Sequence, residues 1–170
     1  WKENKNQEET AVFLSDFSKT YEARPNVTVV ICPPYLVVPE VWDFIKSNNI
    51  QIEVGVQNIS KFEEGAHTGE ISAREASEFA RFAIIGHSER RALGETDEDV
   101  KKKVELAVKN NIEPIVCAVN ESVPIPSGTK IVSYEPVEAI GTGNPDTPEN
   151  AESIAKAIKS KNNQVQSTLY

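Results

Sequence analysis

The sequence is poor in the residues on which metal, redox, membrane and nucleic-acid proteins depend. Its 170 residues include only two cysteines, Cys32 and Cys117, and two histidines, His67 and His87. The cysteines show no CxxC spacing, so neither a zinc site nor a redox pair is indicated. Each ends an apolar run, where free thiols are commonly buried and reduced. No apolar run approaches the roughly 18 residues of a membrane span. The start, Trp1-Lys2-Glu3-Asn4-Lys5, is polar and has no signal-peptide core behind it, so a cytoplasmic location is the expectation. Glycine-rich nucleotide loops of the GxGxxG or GxxxxGK[ST] kind are absent. Basic charge is also short: 18 Lys and Arg against 26 Asp and Glu leave a net charge of −8. That balance argues against nucleic acid, and it repels anions at long range. A phosphate site would have to be made locally, from backbone N–H groups and a few placed cations.

What is present is a regular alternation. Short β-branched runs lie at 27–32, 52–57, 82–86, 114–117, 130–134 and 165–170. Several are apolar without alternating, as expected of parallel strands covered on both faces. Between them stand helical patterns with readable starts. Asn6 with Glu9 forms a capping-box signal ahead of Phe13, Leu14, Phe17 and Tyr21, and Ser72 with Glu75 repeats it. Thr96 opens a stripe of Val100, Val104, Ala107 and Val108; Thr147-Pro148 opens one of Ala151, Ile154 and Ile158. Strand–helix alternation predicts one α/β domain over 1–170 with right-handed crossovers. Periodicity alone does not separate an open doubly wound sheet from a barrel. One crossover is abnormal: residues 118–129 hold two prolines and a glycine, leaving no room for a covering helix.

Three segments carry candidate chemistry, each expected where α/β proteins place active sites, at the C-terminal end of a strand. In Gly86-His87-Ser88-Glu89-Arg90-Arg91 a histidine leaves a strand, which by itself is more often structural than catalytic. In Tyr134-Glu135-Pro136-Val137 a carboxylate ends an apolar strand, where desolvation is costly and favours a general base. A turn capped by a glutamate accounts for it equally well. The following Ala139-Ile140-Gly141-Thr142-Gly143 is small and glycine-rich, suited to a lid or to close backbone approach to phosphate. The third segment, Trp1-Lys2, offers a cation that nothing bottom-up singles out.

Taken in order along the chain, these segments resemble the triosephosphate isomerase family. The resemblance is carried by Trp1-Lys2, Cys32-Pro33-Pro34, Gly55-Val56-Gln57-Asn58 and Gly65-Ala66-His67-Thr68-Gly69-Glu70. It continues through Gly86-His87-Ser88-Glu89-Arg90-Arg91, Pro114-Ile115-Val116-Cys117, Tyr134-Glu135-Pro136-Val137 and the Ala139–Gly143 lid. It implies a TIM (β/α)8 barrel and an isomerase of glyceraldehyde 3-phosphate and dihydroxyacetone phosphate, in glycolysis and gluconeogenesis. By that resemblance Glu135 is the base and His87 the electrophile. Lys2 holds the phosphate-bearing substrate, Gly141 donates its N–H to the phosphate, and Glu89 and Cys117 support the site. No cofactor or metal is implied. A homo-oligomer, dimer or tetramer, is implied, with the dimer loop at His67-Thr68. The alternatives are another sugar-phosphate barrel or an inactive binding module.

Some positions depart from the family pattern. Such barrels run to at least about 200 residues, so the resemblance implies an incomplete barrel lacking its first and last strands, inactive as 170 residues alone. Glu138 stands where the family has a lid tryptophan, and Asn144-Pro145 where it has a lysine–threonine hinge. With the short crossover, these are similar to the compact archaeal subclass of tetramers. There a barrel wall near Val123 and Ile125 is expected to lie bare until a second subunit covers it.

Overall fold

All six apolar runs become strands in the computed structural model, which describes residues 1–136 and 145–169. They are β1 (Val30–Ile31), β2 (Glu53–Val56), β3 (Phe82–Ile85), β4 (Glu113–Ala118), β5 (Ile131–Tyr134) and β6 (Ser167–Leu169). Each pairs in parallel with the next, giving a single sheet in chain order that curls into a partial barrel. Sequential order with parallel pairing puts every strand's C-terminal end on one rim, which is what gathers residues distant in sequence. Among the described residues β1 and β6 each have one strand neighbour. β1 is shorter than its β-branched run: Val27 is exposed, and only Val30 and Ile31 find register partners on β2.

The helices begin where their caps predict. In α1 (Gln7–Thr20) and α3 (Ala73–Ser77) the capping boxes of Asn6 with Glu9 and Ser72 with Glu75 are closed. The structure adds further helical elements, among them two that shape the site's surroundings. One is α2 (Val38–Ser47), which buries Val38, Val41 and Ile45 and accepts Pro39 in its first turn, where the missing N–H is no loss. The other is α4 (Ser88–Ala92), a single short helix directly after β3. In α5 (Asp97–Lys109) the buried stripe is Val100, Lys103, Val104 and Ala107. Val108 is exposed instead, because the helix turns Lys103 rather than residue 108 inward. α6 (Pro148–Lys161) follows its Thr147 cap and buries Ala151 and Ile158. Among the described residues no helix is long and apolar enough to cross a membrane.

The crossover from β4 to β5 carries no helix. Val123 and Ile125 are not a bare wall, however. Both are half-buried against Ala118, Val132, Ile158 and Val165, and Ile125 also reaches the main core. The segment Val123-Pro124-Ile125-Pro126 therefore works as an extended strap, held straight by its prolines, over the face a helix would cover. Gly128 then turns at φ +91°, with room for a β-carbon limited by Val108 Cγ2 at 3.3 Å.

Candidate active site

Strand register brings the central residues together. Ile85 of β3 pairs with Val116 of β4, and Cys117 and Ala118 pair with Ser133 and Tyr134 of β5. Glu135 extends that ladder by one residue, its N–H donating to Ala118 O at 2.9 Å. His87 leaves the neighbouring end of β3 and becomes the N-cap of α4. Its Nε2 lies 2.9 Å from Glu135 Oε1, and Ser88 N–H donates to Glu135 Oε2 at 2.9 Å. Both carboxylate oxygens are thus occupied, and the side chain is only 11% exposed. The Cys117 thiol completes the cluster with a hydrogen bond to Glu135; burial first, then the charge of Glu135, pushes that thiol far above its ordinary range.

The histidine's tautomer follows from its cap. Glu89 N–H donates to His87 Nδ1 at 3.2 Å, so Nδ1 presents a lone pair and the ring proton sits on Nε2. Nε2–H is aimed at Glu135, where it serves as a hydrogen-bond donor at the mouth of the strand rim.

Lys2 approaches from the other side. Its backbone turns at φ +50°, a left-handed conformation uncommon for a side chain of this kind. Gln57, just beyond β2, holds that turn: its Nε2 donates to Lys2 O and to Cys32 O, both at 3.0 Å. Trp1 packs edge-on against Phe13 of α1 with centroids 4.9 Å apart, anchoring the segment. Lys2 Nζ meets Glu89 Oε1 at 2.5 Å, and that bond lowers the Glu89 carboxyl below its usual range. Lys2, Gln57, His87 and Glu89 line one cavity of about 940 Å³ with Trp1 and Asn58.

Of the residues singled out by sequence, His87, Glu135, Cys117, Glu89 and Lys2 are therefore linked by direct contacts. Gly141 and Glu138 lie outside the described residues. His67 stacks on Phe62 at 4.0 Å, in the loop before α3. Gln57 and Ser88 join the site through the fold: Gln57 is the polar residue directly after β2, and Ser88 is the first residue of α4. Among the described residues no group of three His, Cys, Asp or Glu side chains is placed to hold a metal ion.

The family model for triosephosphate isomerase matches residues 1–127 and 126–169. Curated relatives of that name agree. The protein of Mesomycoplasma hyorhinis is 36% identical, with 100% of this chain and 79% of the relative covered. That of Natranaerobius thermophilus is 34% identical over 99% of this chain and 75% of its own length, and that of Hahella chejuensis 37% over 94% and 72%. The first match runs over 197 residues against 170 here, a surplus of 27. The two stretches of the family match overlap at residues 126–127, at the end of the strap. A family model matched along nearly the whole chain and relatives 34–37% identical over most of it lead to one conclusion: this chain belongs to the triosephosphate isomerase family.

Proposed function

We propose that this protein interconverts D-glyceraldehyde 3-phosphate and dihydroxyacetone phosphate through an enediolate, with Glu135 moving the proton. The contact of His87 Nε2 with Glu135 Oε1 at 2.9 Å supports the reading, because a hydrogen-bond donor and a carboxylate meet there on the strand rim. The two fill each other's hydrogen bonds in this state. A substrate entering between them replaces those bonds: its carbonyl oxygen accepts Nε2–H, and the freed carboxylate faces the neighbouring C–H. Glu135 takes that proton as negative charge develops on the oxygen and returns it to the adjacent carbon, while His87 gives its Nε2 proton to that oxygen and takes the hydroxyl proton from the neighbouring one, so that the carbonyl changes place. The Lys2 ammonium offsets the substrate's phosphate charge, a local necessity in a chain of net charge −8. Gly141 contributes an N–H to the phosphate, and Cys117 and Ser88 hold the carboxylate in its resting place.

Lys2 is already paired with Glu89, but both side chains are more than half exposed, so the pair is cheap to rearrange. On this reading the protein acts in glycolysis and gluconeogenesis in the cytoplasm as a homo-oligomer, the loop of His67-Thr68 facing a second copy. A coupled assay with both triose phosphates, on the protein as its gene encodes it, tests the reaction. Turnover in both directions is expected; a purified, folded protein with none contradicts the proposal.

A further inference from the structure

Beneath the site lies an ion pair that the proposed chemistry does not use. Glu95 and Lys103 are 4% and 5% exposed, with Lys103 Nζ 2.9 Å from Glu95 Oε2. Burying both charges is costly, and apolar residues of the same volume would serve packing as well or better. The contacts around the pair give it a different purpose. Glu95 Oε1 accepts the Gly86 N–H at 3.2 Å, and on the other side Arg91 Nε donates to Gly86 O at 3.0 Å. Both polar groups of the residue immediately before His87 are therefore held by charged side chains.

Gly86 needs such a hold. The β3–β4 ladder ends with Ile85, so no strand partner is available to it. It turns at φ +76°, where a β-carbon would stand 3.0 Å from Val100 Cγ2. Glycine is the residue that fits there and also the one with the most freedom to leave that conformation. Every degree of freedom at Gly86 is transmitted to the His87 ring. Lys103 in turn aims Glu95: its second contact is Asn58 Oδ1 at 2.7 Å, and Arg90 Nε stands 3.6 Å from Glu95 Oε2.

We infer that Glu95 is a positioning residue for His87, acting through the Gly86 N–H, and that Lys103 keeps its carboxylate aimed. The kinetic arm of the test rests on the isomerase reading; the spectroscopic arm does not. Two double variants separate positioning from plain stabilisation. Glu95→Leu with Lys103→Met removes the pair together, leaving only the half-exposed Arg90 without a partner it had, and also removes the acceptor for Gly86. Glu95→Gln with Lys103→Met removes the charges but keeps an acceptor.

In the first, kcat falls at least about tenfold with KM little changed, since small misplacements of a reacting group are costly. Hydrogen exchange at the Gly86 amide accelerates, and the His87 ring nitrogen signals broaden or shift. The second recovers most of kcat and the exchange protection. A folded Leu/Met protein with unaltered kcat, Gly86 exchange and His87 signals overturns the inference. So does equal loss in both double variants, because the retained acceptor would then count for nothing. Should the Leu/Met protein not fold, Glu95→Asp, which withdraws the carboxylate by one methylene, is read in the same way. Should the unaltered protein show no isomerase turnover, the proposed reaction fails, and the exchange and ring signals still decide the clamp.

Discussion

Two lysine–glutamate pairs flank His87, and they could hardly be used more differently. Lys103–Glu95 is 2.9 Å long with side chains 5% and 4% exposed; Lys2–Glu89 is 2.5 Å long with side chains 57% and 56% exposed. The chemistry is the same, and the solvent separates them. In the interior the attraction is weakly screened, each charge depends on the other, and the pair can act as a fixed strut. At the surface water and salt compete with the bond, so Lys2 is free to exchange Glu89 for an anionic substrate. A site that must hold one imidazole still and let one ammonium move has drawn both from one kind of pair.

Breaking the buried pair should have the largest effect. Glu95→Ala leaves Lys103 buried and unpaired, and chemical denaturation should show a loss of about 3–5 kcal/mol; an unmoved midpoint would mean the strut is not one. Lys2→Met should move the midpoint little, because the pair is exposed, while kcat/KM falls by more than about tenfold. Retained kcat/KM would remove Lys2 from the site. Glu89→Gln should have a smaller effect, visible near neutral pH and vanishing in acid. The Lys2 bond lowers the folded-state pKa of Glu89, so its contribution is present above the ordinary carboxylate range and is lost as pH falls through the lowered value. A carboxyl titration followed by NMR should shift upward in Lys2→Met.

The smallest effect concerns Cys32, whose thiol burial raises from 9.0 to about 11. At pH 8 it should carry on the order of a hundredfold less thiolate than a free cysteine, and iodoacetamide should label it correspondingly slowly. The sign for stability is the reverse of the Glu89 case. The thiol's contribution is full below pH 9 and is lost as pH rises toward about 11, because the unfolded chain ionises first. Rapid labelling of the folded protein at pH 8 would show that Cys32 is not shielded.

Much of the fold was legible because it is local. Unbroken β-branched runs mark strands covered on both faces, and Asn6, Ser72, Thr96 and Thr147 all cap the helices they announced. The missed helix Val38–Ser47 shows the limit. Pro33, Pro34 and Pro39 mask its start, although the spacing of Val38, Val41 and Ile45 is helical. Glu135 and His87 could be paired only by resemblance, since nothing local says that β3 and β5 both flank β4. Lys103 and Glu95 were illegible for another reason. A lysine among Val100, Val104 and Ala107 reads as a surface charge until a buried carboxylate is seen to meet it.

Carbon-bound hydrogen exchange tests the central claim most directly. Dihydroxyacetone phosphate is incubated with the protein in deuterium oxide and followed by proton NMR. The account predicts deuterium at the hydroxyl-bearing carbon beside the carbonyl, introduced by the unaltered protein and abolished by Glu135→Gln. Exchange at an undiminished rate in Glu135→Gln would mean that some other group moves the proton.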